Sequence, residues 1–282
     1  MRTFVINNHF TQAGSKTKPN QDYVTSAKTY AYCMDGATGL VDVNITKTRD
    51  DVEWYVKKFA KSLNPLIRKG QDLTQTIKTA LKQTNLSYAE FDNSCDTQIY
   101  PSAYISLVRI NKGKLDYYIL GDCMLLIKYK DGHVEELQIE DLIKLDRINI
   151  NKMQTIAKQK NIDVIDARPL INDDLIATRL LMNTPEGYYT LGADNDAPDH
   201  GLVGSLDLDQ VDSVIGCSDG FSQIYDTFFM YTKEQIFENI EKGKTLENLV
   251  KELRDKQQED SKCNKYPRFK IGDDSSAFYV KL

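Results

Sequence analysis

The chain has 282 residues, 41% hydrophobic and 27% charged, the make-up of an ordinary soluble globular protein with enough length for one large domain. A net charge of −5, with no block of Lys or Arg, argues against nucleic acid or an anionic membrane surface as the main partner. No run approaches the roughly 18 apolar residues of a membrane span, and residues 1–8 lack the charged head and apolar core of a secretory signal. The five cysteines (Cys33, Cys95, Cys123, Cys217, Cys263) are odd in number and scattered, with no Cys-x-x-Cys, which argues against a disulfide framework and structural zinc and for a cytoplasmic protein.

In chain order, residues 3–10 are β-rich and open the fold. Residues 14–19 form a polar loop that carries Lys16 and Lys18 and runs into Asn20-Gln21-Asp22. Residues 23–34 read as two short strands with a turn near Ala27-Lys28. From about 50 to 63, Val52, Tyr55, Val56, Phe59, Ala60 and Leu63 recur at helical spacing, and Pro65 is expected to end that helix or start a turn. A second helix places Leu73, Ile77, Ala80, Leu81, Thr84, Tyr88 and Phe91 on one face. Strands follow over 103–110, 114–120, 123–129 and 133–137, with hairpin turns at Asn111-Lys112-Gly113 and Asp131-Gly132.

Residues 139–187 are polar and lean to helix, over 141–159 and 173–183. They read as an insertion packed on a sheet edge, inside a single domain spanning 1–282. Strand character returns at 186–192 and 210–217, helices at 219–228, 232–242 and 245–259, and a last strand at 275–280. Strands in blocks split by helical pairs are not a β-α-β alternation. The expected class is α+β, a four-layer α-β-β-α sandwich of two mostly antiparallel sheets flanked by helices.

One grammar occurs twice: an apolar run, an aspartate, then glycine. It is seen in Tyr32-Cys33-Met34-Asp35-Gly36 and in Val214-Ile215-Gly216-Cys217-Ser218-Asp219-Gly220. A carboxylate at the end of a buried strand is costly unless something positive meets it. The glycine would turn the backbone and bring its carbonyl close to the same place. Asp-Gly is also common turn chemistry, so two ordinary strand-end turns carry equal weight on these segments alone.

Asp22, Asp122, Asp273 and Asp274 also stand beside turns at predicted strand ends. Three histidines (His9, His133, His200) without a His-x-x-x-His spacing disfavour a zinc hydrolase. An oxygen-only set suits Mg²⁺ or Mn²⁺, and two such ions roughly 4 Å apart can activate a water and clamp a phosphate for in-line attack.

The ordered set Asn20-Gln21-Asp22, Met34-Asp35-Gly36, Gly121-Asp122, Cys217-Ser218-Asp219-Gly220 and Gly272-Asp273-Asp274-Ser275-Ser276 resembles the type 2C, metal-dependent protein phosphatases (PPM), in a bacterial-like branch. The resemblance covers nearly the whole chain and agrees with the expected sandwich. It implies hydrolysis of phosphoserine and phosphothreonine in proteins at two Mn²⁺ or Mg²⁺ ions, with a third, weaker ion also held. Asp35 would bridge both ions and the Gly36 carbonyl would bind one. Asp219 and Asp273 would complete the carboxylate ligands, and Asp122 with Asp219 would hold the third ion. Asp22 would orient waters around the centre. The implied partners are a phosphoprotein substrate and a cognate Ser/Thr kinase, with the chain acting as a monomer.

The sequence also departs from the family. Members often carry an arginine that holds the substrate phosphate, five residues before the aspartate of the first motif. Thr17 stands there, leaving Lys16 or Lys18 as candidate phosphate contacts of a different kind, point charges without a planar fork. Many members continue Asp-Gly with a histidine, where this chain has Ala37. These departures keep open an alternative, a catalytically weak or inactive binding or regulatory module of the same fold. A metal hydrolase acting on a small phosphate ester is a third reading.

Overall fold

The computed structural model describes residues 2–40, 43–94 and 99–282. One five-stranded sheet has the order β1 (Ile6–Gln12), β10 (Ser275–Lys281), β9 (Val211–Cys217), β6 (Met124–Tyr129), β7 (Val134–Leu137). The other has the order β2 (Tyr23–Ser26), β3 (Tyr30–Ala37), β4 (Ser102–Asn111), β5 (Lys114–Leu120), β8 (Leu202–Asp207). The ladders between named strands are antiparallel.

Period-two alternation shows how the layers stack. In β3, Ala31 and Cys33 join the core between the sheets, with Val214, Phe278, Leu125 and Ile127 of the first sheet. Tyr30, Tyr32 and Met34 face the other way, onto helices α1 (Asp51–Ile67) and α2 (Leu73–Tyr88). In the first sheet Leu126, Ile215 and Tyr279 point outward onto α6 (Asp219–Asp226), α7 (Lys233–Glu241) and α8 (Leu246–Glu259). Strands apolar on both faces are strands covered on both faces, so the result is the expected α-β-β-α sandwich. Buried Arg109 ties the layers further. It pairs with Asp116 across β4 and β5 at 2.9 Å and donates to the Ile67 and Gln71 carbonyls beyond the end of α1.

Several local expectations are corrected. Pro65 does not end α1, which runs on to Ile67. The proline lies in the last turn, where its missing N–H costs a single helical bond, and buried Leu66 and Ile67 hold that turn down. Phe91 falls outside α2 and is 47% exposed, packed edge-on against Trp54. Residues 186–192 form no strand. They make only the isolated bridges Met182–Tyr188 and Ala103–Leu191, and their aromatic and aliphatic content reflects burial of Tyr188 and Leu191. Strand β8 had no counterpart in the reading, because its polar Gly204-Ser205 centre masks the alternation.

The 139–187 segment forms α3 (Asp141–Lys160), α4 (Val164–Ala167), a 3-10 turn (Arg168–Ile171) and α5 (Asn172–Leu180). These helices pack on one another, and Met153, Ala157, Val164, Ala167 and Ile171 share a small core with Cys263 and Phe269. α3 also meets the sheet ends, where Leu142 and Leu145 share a cluster with Tyr104, Cys123 and Ala37. Among the described residues Cys33, Cys123, Cys217 and Cys263 are buried free thiols, while Cys95 lies outside those residues. No helix among the described residues is long and apolar enough to cross a membrane.

Candidate active site

The alternation that sends Ala31 and Cys33 between the sheets sends Asp35 there next, where the apolar core gives out. The strand does not turn at this aspartate. Asp35 pairs with Tyr104 and Gly36 with Ala103, so β3 runs through both. Glycine is needed for a different reason: a Cβ at position 36 would lie 2.4 Å from both the Gln21 carbonyl oxygen and Val52 Cγ1. The second Asp-Gly is not a turn either. Ser218 is the N-cap of α6 and Asp219 its first residue, and a Cβ on Gly220 would come within 1.9 Å of the Asp274 carbonyl oxygen. Both pairs are places where another segment of chain presses close.

That other segment brings further carboxylates. Asp22, just before β2, is 6% exposed and accepts from Ser218 Oγ at 2.9 Å. Asp122 is 7% exposed and follows Gly121, whose φ of +82° shapes the β5–β6 connection. Asp273 lies in the loop before β10. Its neighbour Asp274, expected to be a turn residue, accepts from the Gly14 and Gln21 backbone N–H groups at 2.8 and 2.7 Å and so pins both ends of the 14–21 loop. Lys16 and Lys18 project from that loop, exposed, and do not line the cleft described below. Gln21, in the first motif, donates through Nε2 to Thr38 Oγ1 and to Asp50, the N-cap of α1.

The carboxylates act on one another. Burial, then Asp22, Asp219 and Asp122, push the Asp35 carboxyl well above its usual range. Burial, then Asp219 and Asp146, do the same to Asp122. For Asp22 the causes are burial and then Asp274. Asp219 is pushed up to about 6 by burial and then Asp273, against a hydrogen bond with Asp35. Two carboxyl groups can share such a bond only when one is protonated, and without that proton they repel unless a cation stands between them.

Two residues not anticipated from the sequence join the set. Asp146 of α3 is pushed up to about 7 by burial and then by Asp219. Lys270 donates to Asp273 Oδ1 at 2.8 Å. Each left a trace in the sequence. Asp146 falls on the stripe of buried Leu142, Asn149 and Met153, where a lone carboxylate is out of place. Lys270 stands three residues before Asp273, just upstream of the last motif.

Beside these groups lies a cleft of about 710 Å³, which Asp35 and Asp22 do not line. Asp122, Asp219, Asp273 and Asp146 line one part of it, and Glu136, Tyr225, Asp226 and Lys233 line another. Among the described residues no three His, Cys, Asp or Glu side chains stand together as a ready-made cage for an ion. The donor chemistry nonetheless fits a hard divalent cation. The set is all oxygen, Lys270 makes the one ion pair with it among the described residues, and buried Asp22 Oδ1 and Asp122 Oδ1 each have no hydrogen-bond partner.

No family model matches the sequence, and no curated protein matches it. Solved structures do. The Mycobacterium tuberculosis serine/threonine phosphatase PstP aligns with a TM-score of 0.56 at 13% identity over 98% of both chains. A second structure, the catalytic domain of PstP in complex with two manganese ions, aligns equally well over 99% of this chain and 98% of that one. Serine/threonine phosphatase Stp1 from Staphylococcus aureus aligns at 0.54 and 12% identity over 100% of this chain and 97% of that one. The PPM Ser-Thr phosphatase MsPP from Mycobacterium smegmatis, in complex with cacodylate, aligns at 0.54 and 16% identity over 99% of both. The chain has the fold of the PPM-type Ser/Thr phosphatases.

Proposed function

We propose that the protein is a Mn²⁺- or Mg²⁺-dependent phosphatase that hydrolyses phosphoserine and phosphothreonine in proteins. The observation that carries this reading is that Asp35, near the end of β3, and Asp219, at the start of α6, act on one another, with Asp22 and Asp122 acting on Asp35 and Asp273 on Asp219, beside a cleft lined by Asp122, Asp219 and Asp273. Two divalent ions bound there would supply an activated water and an electrophilic clamp on the phosphate.

The chain's own residues have distinct parts. Asp35, through its carboxylate, Gly36, through its carbonyl, and Asp219 and Asp273 would hold the ions. Asp122 with Asp219 serves a third, weaker ion. Asp22, fixed by Ser218, orients water from behind. Ala37 has no proton to give, so the leaving alkoxide draws its proton from solvent at the site. A phosphoprotein made by a Ser/Thr kinase is the matching substrate, and the cytoplasm the matching compartment.

The direct test is hydrolysis of a phenyl phosphate ester and of a phosphothreonine peptide with Mn²⁺ and with chelator. Activity on both that needs the ion is the expected result; activity indifferent to chelator would sink the reading. A second reading, a binding module of the same fold, draws on the absence of a ready-made cage among the described residues and on Thr17 and Ala37. Calorimetric titration separates them, since an enzyme takes up two Mn²⁺ per chain and a module need take up none.

A further inference from the structure

We propose that Lys270 holds the substrate phosphate, in the place that Thr17 leaves without an arginine; this assignment rests on the phosphatase reading above. A phosphate dianion approaching Asp35, Asp219 and Asp273 enters a strongly negative field and needs a protein cation beside whatever ions are bound.

The cleft offers five cations, and three of them have partners away from these carboxylates. Lys233 is ion-paired with Glu136 and sits 5.5 Å from the centre of the Tyr225 ring. Lys265 lies over the Tyr266 ring. Arg268 is 4% exposed and spends its donors on the loop itself. They go to Asp260 Oδ2 at 2.9 Å and to the Tyr266, Gln257, Asp260 and Ile271 carbonyls. Arg147 makes no ion pair among the described residues, and its charge falls on Asp226 and Glu140, away from Asp35, Asp219 and Asp273. Among the described residues only Lys270 makes an ion pair with one of the carboxylates assigned to the metal centre.

Its seat suits the task. The Arg268 clamp fixes the backbone on which Lys270 rides, and Cys263 Sγ donates to the Lys270 carbonyl at 3.8 Å. The side chain is itself 57% exposed toward the cleft, so a solute can reach the ammonium. A flexible four-carbon stem lets that point charge leave Asp273 for a phosphate oxygen without moving the loop.

The test is calorimetric binding of inorganic phosphate, in the presence of Mn²⁺, to wild type, Lys270→Met, Lys270→Arg and the double variant Lys16→Met/Lys18→Met. Lys270→Met is expected to weaken phosphate binding about tenfold or more while still taking up two Mn²⁺. Lys270→Arg, which keeps the charge, should stay within about threefold of wild type, and the double variant within about twofold. Unchanged phosphate affinity in a Lys270→Met protein that takes up Mn²⁺ overturns the assignment and leaves the phosphatase reading standing. A large loss in the double variant alone moves the role to the 14–21 loop. A wild type that takes up no Mn²⁺ overturns both.

Discussion

The carboxyl of Asp219 has a pKa of 3.8 when unperturbed and is pushed up to about 6 in the fold by burial and then by Asp273. Below about 3.8 both folded and unfolded chains carry the proton, and above about 6 neither does. Between those limits the folded state holds a proton that the unfolded state has lost, so stability falls as pH rises through the window. Thermal melts in chelator should therefore show the midpoint dropping from about pH 4 to about pH 6. Asp219→Asn should flatten the drop and melt higher than wild type at neutral pH, because it removes one of several mutually repelling charges. Excess Mn²⁺ should also flatten it. A midpoint in chelator that climbs across the window would show that these carboxylates do not repel one another. The same substitution should reduce kcat/KM about a hundredfold or more, the opposite direction to its effect on stability, as expected where stability is sacrificed to function.

At the level of single elements, the sequence showed where strands and helices lie more clearly than why particular residues sit in them. The alternation of β3 could be read directly from Ala31, Tyr32, Cys33 and Met34, and α7 and α8 begin at Thr232 and Thr245 with capping boxes. The glycines of the Asp-Gly pairs were expected to turn the backbone because the groups that demand glycine, Gln21 and Asp274, are distant in sequence from each pair. Gly36→Ala should accordingly cost about 2–3 kcal/mol by overpacking, read as a lower denaturant midpoint, although β3 itself would accept alanine. Wild-type stability in that variant would contradict the close approach of Gln21 and Val52. The loop before β10 offers a second check. Arg268 and Asp260 have side chains only 5% and 10% exposed, so Arg268→Met strands a nearly buried carboxylate. A loss of about 3 kcal/mol is expected in chemical denaturation, and a neutral result would mean that the clamp does not hold this loop.

For the molecule as a whole, the two-sheet sandwich was legible because strands apolar on both faces must be covered on both, and the blocks of strands were separated by helical pairs. Asp35, Asp122 and Asp219 were legible too, since each breaks an apolar run next to glycine. Asp146 and Lys270 were not. One belongs to a polar helix and the other to a loop, and only the packing of α3 and of the Arg268-clamped loop against the sheet ends carries them to the cleft. The central claim is that these residues from both sheets form one metal-dependent centre. The measurement that tests it most directly is hydrolysis of a phosphothreonine peptide by wild type and by Asp35→Asn, each with Mn²⁺ and with chelator. Turnover by the wild type with Mn²⁺ alone, and none above background in the other three, is the expected result. Turnover that survives chelator, or that Asp35→Asn retains, would contradict it.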